Sequence, residues 1–548
     1  MRGGIWWLAV FVAFGCEGRI GDAVEPGVTP PDTVFDPNVC EETVAATTPL
    51  RRLSSEQYTR VLRQLMPTIA SDLEARSLFP ETIIDHGFST DASANTVSTF
   101  ESNQIEDNAE AIAAYVLDNA EEAIPAITGC DLGASFTDDA LDACMTGFLP
   151  AFGERAFRRP MTATEQEIAE TLYDSLRGEQ GSRAAFAAVM QLVTQSPALL
   201  YRVERGQGSA DEDGAVELTA HELASRLSFL LSGGLPDEEL VEAARRDSLG
   251  PDEVAMHAER LMQEDEFAAV LGEFHRDWMH AYVIGREGRA HPLFSEAVQG
   301  ALRDEVAEYT EWLLTEADGR FETLMTSTRF PVAPELVELY GASEAPPGRA
   351  GILTLASVTG SFASEDGADS APILRGAFIR ESVLCGGTLT LPANDGLEEE
   401  LVPTAHLPTA KQRLTFLEER SDCAGCHAQI NPLGLAFENF DALGSYRSEE
   451  NDTPIDASGT LRFGTISEPF ETPQELAMLL AQSEEAQACY ATQFYRYAMG
   501  RLEVAADACS LARVQQRFIE SGGDIRELAL AVVGSRPFQT RASVEESR

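Results

Sequence analysis

The residues best suited to chemistry are Cys423, Cys426 and His427, which form the one CxxCH motif of the chain. Two thiols three positions apart can add across the two vinyl groups of one haem, and the adjacent histidine then becomes the proximal ligand of the iron. The motif therefore predicts one covalent haem c. A structural disulfide and half of a zinc site are the alternatives. A zinc site needs four ligands, and no second Cys/His pair of matching spacing occurs in the sequence.

The motif does not fix the second axial ligand of the iron. Met499 is the first choice, followed by Met478 and His406. A methionine on a helix is more often a core residue than a ligand, and an iron without a sixth protein ligand would be open to peroxide or oxygen. The Nδ1 of His427 also needs an acceptor, for which the backbone carbonyl near Pro432 is suitable.

Several charged and polar side chains lie close to the motif in sequence, and each has two interpretations. They could bond haem propionates, or they could form a helix cap and an internal ion pair; the second interpretation is favoured for the group that follows the motif. The two arginines that precede Cys385 reach either propionates or a neighbouring domain. The residues are Glu438, Asn439, Asp441 and Arg447 after the motif, and Arg375 and Arg380 before it.

Histidines elsewhere give weaker signals. His221-Glu222 resembles the start of a zinc-protease HExxH, but position 225 is Ser225, which excludes that motif. His275 and His280 fall near one helical face with Trp278, and they are expected to be surface and core residues rather than metal ligands.

The nine cysteines divide into three groups. Cys16 is assigned to a lipid, and Cys423 and Cys426 to haem. The remaining six are an even number available for three disulfides in an oxidising compartment. Proximity in sequence favours the pairs Cys130–Cys144 and Cys489–Cys509, which leaves Cys40 with Cys385.

The first sixteen residues have the pattern of an export signal. The apolar run from Ile5 to Phe14 is long enough for a signal peptide but too short to span a bilayer permanently. Gly15 before Cys16 is typical of a bacterial lipobox, whereas Phe14 departs from that pattern, so ordinary cleavage nearby is the alternative. No later segment is apolar enough to be transmembrane. The expected location is the cell envelope, either the periplasm or the outer membrane and cell surface.

The composition restricts the partners. The chain has 548 residues and a formal net charge of −50, which disfavours nucleic acid and anionic membranes. Membrane contact is therefore expected only through the lipid anchor. The expected partner is a redox protein or a small-molecule substrate.

Helical signals dominate the elements that must position the motif. Four [ST]xx[EQ] capping boxes predict helix starts. One short hairpin is predicted near 460–463, and no repeat of fixed period occurs. The predicted class is mainly α, with several helical-bundle units and a cytochrome c-like CxxCH segment. The boxes are Ser54/Gln57, Thr162/Glu165, Thr219/Glu222 and Thr472/Glu475. The predicted units are the signal (1–16), a tether (17–48), helical domains (49–125, 126–203 and 217–341), the CxxCH domain (349–465) and a C-terminal helical domain (466–541).

Six matching regions carry a resemblance to a known family: 51–66, 152–167, 218–240, 349–360 with 373–385, 423–447 and 489–501. With these regions the chain resembles the exported, multi-domain cytochrome-like proteins of planctomycetes and myxobacteria, which are built from consecutive domains of unknown function. The resemblance covers nearly the whole chain from Arg51. It implies an exported cytochrome-like protein but no substrate or activity, since those of the family are not established. Longer relatives carry an additional N-terminal cytochrome module; if that module is the electron partner, this chain is expected to find one in trans.

These observations leave three functional hypotheses. The first is a monohaem c-type protein for electron transfer, and the second is an oxidoreductase with five-coordinate haem. The third is a haem-free binding or scaffold protein in which the CxxC is a disulfide.

Overall fold

The computed structural model describes residues 40, 46, 48–68, 87–132, 136–284, 291–344, 346, 348–364, 367–387, 407–419 and 423–543. Helices dominate these residues, and the strands are short antiparallel pairs. The predicted mainly α class is therefore confirmed. The signal sequence with Cys16, and nearly all of the tether, lie outside the described residues, as does His406.

The N-terminal third forms one helical layer around its own hydrophobic core. This core extends from Leu53 to Leu200 and also takes in Phe229 and Leu235 from the next segment. The helices are Ser55–Leu65, Thr99–Asp118, Ala120–Thr128, Asp138–Phe157, Ala163–Gln180, Ser182–Thr194 and Pro197–Leu200.

The rest of the chain shares a second, larger core. It runs from Leu218 to Phe538 and includes Phe88, whose ring stacks on Phe274 at 5.6 Å. The longer helices around it are Ala220–Leu231, Glu238–Arg245, Pro251–Leu261, Asp265–Trp278, Glu296–Thr315, Ala410–Glu419, Ala424–Leu435, Pro473–Gln482, Glu484–Met499, Ala508–Glu520 and Ile525–Val533. Shorter ones are Phe321–Thr326, Val337–Tyr340, Ala356–Ser361, Pro372–Phe378 and Arg536–Gln539, with 3-10 turns at Pro334–Leu336, Ile352–Thr354 and Ala505–Asp507 and a π-helical turn at Ile379–Val383.

Short strand pairs connect segments that are far apart in sequence. Arg51–Arg52 pairs with Tyr201–Arg202, and Ala215–Glu217 pairs with Thr540–Ala542. The sequence predicted a division of the chain between 203 and 217 and only a helical domain at 466–541, so the second pair was missed. The predicted hairpin is confirmed as Gly459–Phe463 with Ile466–Phe470. A smaller hairpin joins Glu449–Glu450 to Thr453–Pro454.

Three of the four predicted capping boxes are confirmed, at Ser54, Thr162 and Thr219. At the fourth, Thr472 accepts from the Glu475 N–H, but the Glu475 carboxylate bonds the N–H of Glu471 instead of that of Thr472. The helix start is therefore correct and the reciprocal bond is wrong.

All six cysteines assigned to disulfides are paired, but two of the three predicted pairs are wrong. Cys130–Cys144 is confirmed. The others are Cys40–Cys509, across a sequence separation of 469, and Cys385–Cys489, across 104. Proximity in sequence misled the prediction, because Cys385 and Cys489 are brought to one place by the packing of Ile379–Val383 against Glu484–Met499.

Among the described residues, no helix combines the length and apolarity that crossing a membrane requires.

Candidate functional site

The CxxCH motif forms the first turn of the helix Ala424–Leu435, called the motif helix below. Cys423 is its N-cap residue, and the Cys423 carbonyl accepts hydrogen bonds from the N–H groups of Cys426 at 3.2 Å and His427 at 3.1 Å. Residues three and four apart lie on the same face of a helix. The two thiols and the imidazole therefore share one face of this first turn.

Cys423 and Cys426 are the unpaired cysteines of the described chain, and both are half-buried. The six other described cysteines are in disulfides. A protein with three disulfides thus keeps two thiols free at a spacing that suits attachment to one haem.

The imidazole of His427 is oriented by a side chain of its own helix. Its Nδ1 lies 3.0 Å from the Oδ1 of Asn431, one helical turn later. Asn431 is fully buried, and its Nδ2 has no hydrogen-bond partner. An Nδ1–H that donates to this oxygen leaves Nε2 with a lone pair, which is the tautomer that a metal-ligating histidine requires.

The predicted acceptor for His427 is wrong. The carbonyl of Pro432 accepts from the N–H of Ala436 at 3.2 Å within the helix. Helical carbonyls point along the axis toward the residue four positions later, so a side chain at that position is better placed to meet the imidazole. Asn431 was missed, although its spacing of four from His427 was a readable signal.

A close helix crossing holds the motif helix in place. It packs against Pro372–Phe378, and the contact is made through Gly376 and Gly434. A Cβ on Gly434 would collide with the carbonyl of Pro372, and a Cβ on Gly376 would collide with that of Ile430. The two backbones therefore approach as closely as only glycine allows, and this fixes the direction of the motif helix.

The charged residues after the motif form a buried structural network. Glu438 bonds Arg375 at 3.3 Å and Arg447 at 3.1 Å. Burial lowers the pKa of Arg375 to about 10. Burial raises the pKa of Glu438, an effect that the two arginines oppose. The internal ion pair expected for this group is thus present, and it binds the segment before the motif to the segment after it.

The other charged and polar residues near the motif, and Arg375 itself, form hydrogen bonds to backbone groups. Arg375 also donates to carbonyls of Thr359 and Phe440, at 2.8 and 3.0 Å. Asn439 donates to the Arg447 carbonyl at 3.0 Å, and Asp441 accepts from two N–H groups of its own turn at 2.9 Å. These contacts close the loop that follows the motif helix.

Arg380 lies beside the motif helix. Its Nε donates to the Oε1 of Gln429 at 3.4 Å, and its Nη1 donates to the carbonyl of Gly387. Gln429 is two residues from His427, so this contact places Arg380 near the motif. Arg375 pairs with the buried Glu438, whereas Arg380 has no buried carboxylate partner among the described residues.

The two described candidates for a sixth ligand lie in different environments. Met499 is buried at the C-terminal end of Glu484–Met499, where the following Gly500 packs against Arg51 and Thr90. Met478 is 49% exposed. The end of the helix that carries Met499 therefore faces the N-terminal region, whereas Cys489 near the other end is joined to Cys385.

Two of the other histidines, His275 and His280, pack against buried side chains. His275 is fully buried between the hydroxyls of Thr310 and Tyr490, both at 2.8 Å, and burial lowers its pKa to about 3. The ring of His280 packs on Phe378. Across the part of the chain that is described, no three His, Cys, Asp or Glu side chains are grouped to hold a metal ion.

The residues at the motif fit a covalently bound haem. The donor set consists of two free thiols and an imidazole whose Nδ1 is already held. All three are half-buried at the surface of the protein. The small cavity beside Phe378 and Phe437 has a volume of only about 10 Å³, which is too small for a haem, so the group would be held at the surface that carries the motif.

Five family models match consecutive segments of the chain, and each is described as a protein of unknown function. They are DUF1587 at 51–118, DUF1595 at 144–204, DUF1592 at 218–342, DUF1588 at 349–450 and DUF1585 at 467–538. The CxxCH motif lies within the fourth segment. No curated protein matches the chain, and neither does any solved structure.

Proposed function

We propose that this chain, which has five consecutive domains of unknown function and one CxxCH motif, is an exported protein with one covalent haem c that takes part in electron transfer. The observation that carries this proposal is the pairing of the cysteines. Six described cysteines form disulfides, while Cys423 and Cys426 are unpaired and lie on the same helical face as His427.

The thiols supply the attachment. Cys423 and Cys426 would hold the haem through thioether bonds to its two vinyl groups, an addition that would need no oxidant. A helical first turn suits this step, because its geometry sets the separation of Cys423 and Cys426 before the reaction. Haem would supply one-electron redox chemistry at this position.

His427 supplies the proximal nitrogen. Asn431 holds its Nδ1, and the glycine crossing holds the helix that carries both residues. The half-buried position of the motif leaves one edge of the site accessible to a partner. Such an exposed edge is what electron exchange with a second protein requires.

Export is supported by the disulfides and by the N-terminal pattern. Three disulfides suit an oxidising compartment, and the apolar run before Cys16 suits a signal peptide with a lipid anchor. The proposed location is the cell envelope, with membrane contact only through the anchor. The proposed partner is a redox protein or a small-molecule substrate.

A five-coordinate haem oxidoreductase is the second candidate. The observation that favours it is the position of Met499, which is buried and followed by Gly500, a residue packed against Arg51 and Thr90 of the N-terminal region. Without a methionine at the sixth position, peroxide or oxygen could reach the iron. The ferrous spectrum and peroxide turnover of the loaded protein distinguish the two candidates.

The test of the proposal is a pyridine-haemochrome spectrum together with the intact mass of the mature protein, produced in a host with cytochrome c maturation. We expect a c-type spectrum and the mass of one added haem. Both should be lost in Cys423→Ala/Cys426→Ala. The matched control is Cys130→Ala/Cys144→Ala, which removes two cysteines elsewhere and should keep the haem.

An unmodified mass with Cys423 joined to Cys426 would contradict the proposal. The chain would then be a haem-free binding or scaffold protein, as in the third hypothesis from the sequence.

A further inference from the structure

A cavity of about 670 Å³ lies far from the CxxCH motif in sequence, and all of its lining residues fall between 157 and 225. Its walls come from the end of Asp138–Phe157, the segment 197–206 and the start of Ala220–Leu231. It therefore spans the junction of the second and third matched segments. Its volume is within the range of small-molecule binding sites.

The carboxylates of the lining are already bonded within the protein. Glu165 makes two bonds to Arg159, at 2.8 and 2.9 Å. Glu204 receives bonds from Arg226 at 2.6 and 2.9 Å. Glu222 accepts from backbone N–H groups of its own cap and of the 205–206 turn. These acids are not free to bind a cation.

Arg202 differs from its neighbours because its donors are unused. Its side chain is buried, with a residue exposure of 8%, and its Nε has no hydrogen-bond partner. Its guanidinium lies 4.9 Å from the centre of the Phe229 ring, and its Nη2 is 4.0 Å from Glu204, which is beyond hydrogen-bond distance. Arg158, by contrast, donates to four backbone carbonyls. Within the described part of the chain, Arg202 is thus a cavity-lining, buried cation that makes no side-chain hydrogen bond.

His221 is a second unbonded polar group in the wall. Its Nε2 is buried without a hydrogen bond, 3.9 Å from a carboxylate oxygen of Glu154. Burial lowers the pKa of His221, which favours the neutral form of its imidazole. A neutral ring offers a ligand one hydrogen bond without repelling it or changing its charge.

The charge around the cavity is opposite to that of the whole protein. The buried guanidinium groups of Arg51, Arg202 and Arg226 lie close enough to the buried carboxylate of Glu204 to lower its pKa, and a fourth, that of Arg158, lies close to Arg202. The chain has a formal net charge of −50. A buried excess of positive charge is costly unless an anion compensates it.

We propose that this cavity binds a small organic carboxylate, with Arg202 holding its carboxylate group. A planar guanidinium matches a carboxylate with two parallel hydrogen bonds. The apolar parts of the lining, Phe157, Pro197 and Ala198, then pack against the carbon body of the ligand. His221 bonds a second polar atom. This site is independent of the haem and gives the protein a small-molecule ligand of its own.

Calorimetric titration of the full mature protein tests the proposal. The probes are acetate, succinate and benzoate, with inorganic phosphate as the inorganic anion and benzamide as the uncharged counterpart of benzoate. We expect at least one carboxylate to bind, and benzamide and phosphate to bind less tightly than it does. Arg202→Gln should weaken that binding by about tenfold or more. Arg329→Gln is the matched control, because it removes an arginine that is exposed on a distant surface.

Two further variants keep the test decisive if Arg202→Gln does not fold. Arg202→Lys keeps the positive charge but cannot form the bidentate hydrogen bond to a carboxylate. His221→Ala removes the proposed second contact with the ligand. Each variant should weaken binding more than Arg329→Gln does. The proposal is overturned if none of the carboxylates binds, if phosphate binds more tightly than all of them, or if the folded variants bind as the control does. Cys423→Ala/Cys426→Ala should bind normally, so failure of the haem proposal is seen separately.

Discussion

The Nδ1 of His427 and the Oδ1 of Asn431 lie 3.0 Å apart on one face of the motif helix. This bond links the residue predicted to bind iron to a residue that is fully buried. Because the acceptor is held in the protein interior, a change in its charge should alter the strength of its hydrogen bond to the imidazole and so the electron density at Nε2.

The first prediction concerns the character of this acceptor. Asn431→Asp replaces a neutral oxygen by a carboxylate of nearly the same shape, which makes the imidazole a stronger donor and favours the oxidised haem. We expect the reduction potential to fall, by about 60 mV for each tenfold preference for the oxidised form. A spectroelectrochemical titration measures it. Gln429→Ala is the control: its amide lies on the same helix but bonds the Gly425 carbonyl and, at 3.4 Å, Arg380 rather than His427, so the potential should change much less. Equal potentials in all three proteins would show that Asn431 does not act on the imidazole.

The second prediction concerns the glycine crossing. Gly434→Ala places a methyl group against the backbone of Pro372–Phe378, and the helices must separate to accept it. We expect a loss of about 1–3 kcal/mol in the free energy of unfolding, measured by denaturant unfolding.

Gly300 provides the control for that change. It lies inside the helix Glu296–Thr315, and a Cβ there would meet nothing within 4 Å. Gly300→Ala should therefore stabilise the protein, by about 0.5–1 kcal/mol. A Gly434→Ala protein as stable as Gly300→Ala would contradict the close approach of the two helices.

The third prediction concerns the pH dependence that Glu204 creates. Burial alone would raise the pKa of this carboxyl group, but Arg226, then Arg51 and Arg202, bring it well below its ordinary value. The folded state thus prefers the ionised form. The resulting stability is complete above the ordinary glutamate pKa and is lost as the pH falls toward the lowered folded value.

Glu204→Gln should accordingly cost about 3–5 kcal/mol at pH 7, because it leaves buried arginines without their counter-charge. The difference from the wild type should shrink as the pH is lowered below about 4. Thermal unfolding at a series of pH values measures this difference. A gap that stays constant from pH 7 to pH 3 would exclude the ionised Glu204.

The fourth prediction concerns the disulfides. Cys385→Ala/Cys489→Ala opens a loop of 104 residues, and Cys130→Ala/Cys144→Ala opens one of 14. Loop-closure entropy predicts losses of about 4.7 and about 3 kcal/mol. Peptide mapping under non-reducing conditions should first find the three pairs. Recovery of a Cys489–Cys509 peptide would contradict the structure.

Local signals in the sequence predicted local structure well. Ser54, Thr162 and Thr219 were each identified as helix caps, because a cap depends on residues three positions apart. The same locality explains the success with Cys130–Cys144. The disulfide partners of Cys385 and Cys509 depend on how helices that are distant in sequence pack, and the residues next to each cysteine in sequence do not indicate that packing.

The candidate site shows the same division. The grouping of Cys423, Cys426 and His427 on one helical face could be predicted from their spacing, whereas their haem remains a prediction. The internal ion pair expected near the motif is present at Glu438. Asn431 was missed because a carbonyl was expected where a side chain is the acceptor. The role proposed for Arg202 could not be predicted from the sequence, since it depends on which neighbouring carboxylates are already bonded.

The pairing of Thr540–Ala542 with Ala215–Glu217 has a consequence for biosynthesis. The ribosome makes the chain from its N-terminus, so the segment around Ala215 is complete long before its partner strand exists. Arg226 is likewise synthesised long before its partners, because its guanidinium bonds the carbonyls of Pro537 and Phe538. The larger core can therefore be completed only after residues 537–542 have been synthesised. Until then the nascent chain is an incompletely packed intermediate with exposed apolar surface, the kind of species that is prone to aggregate.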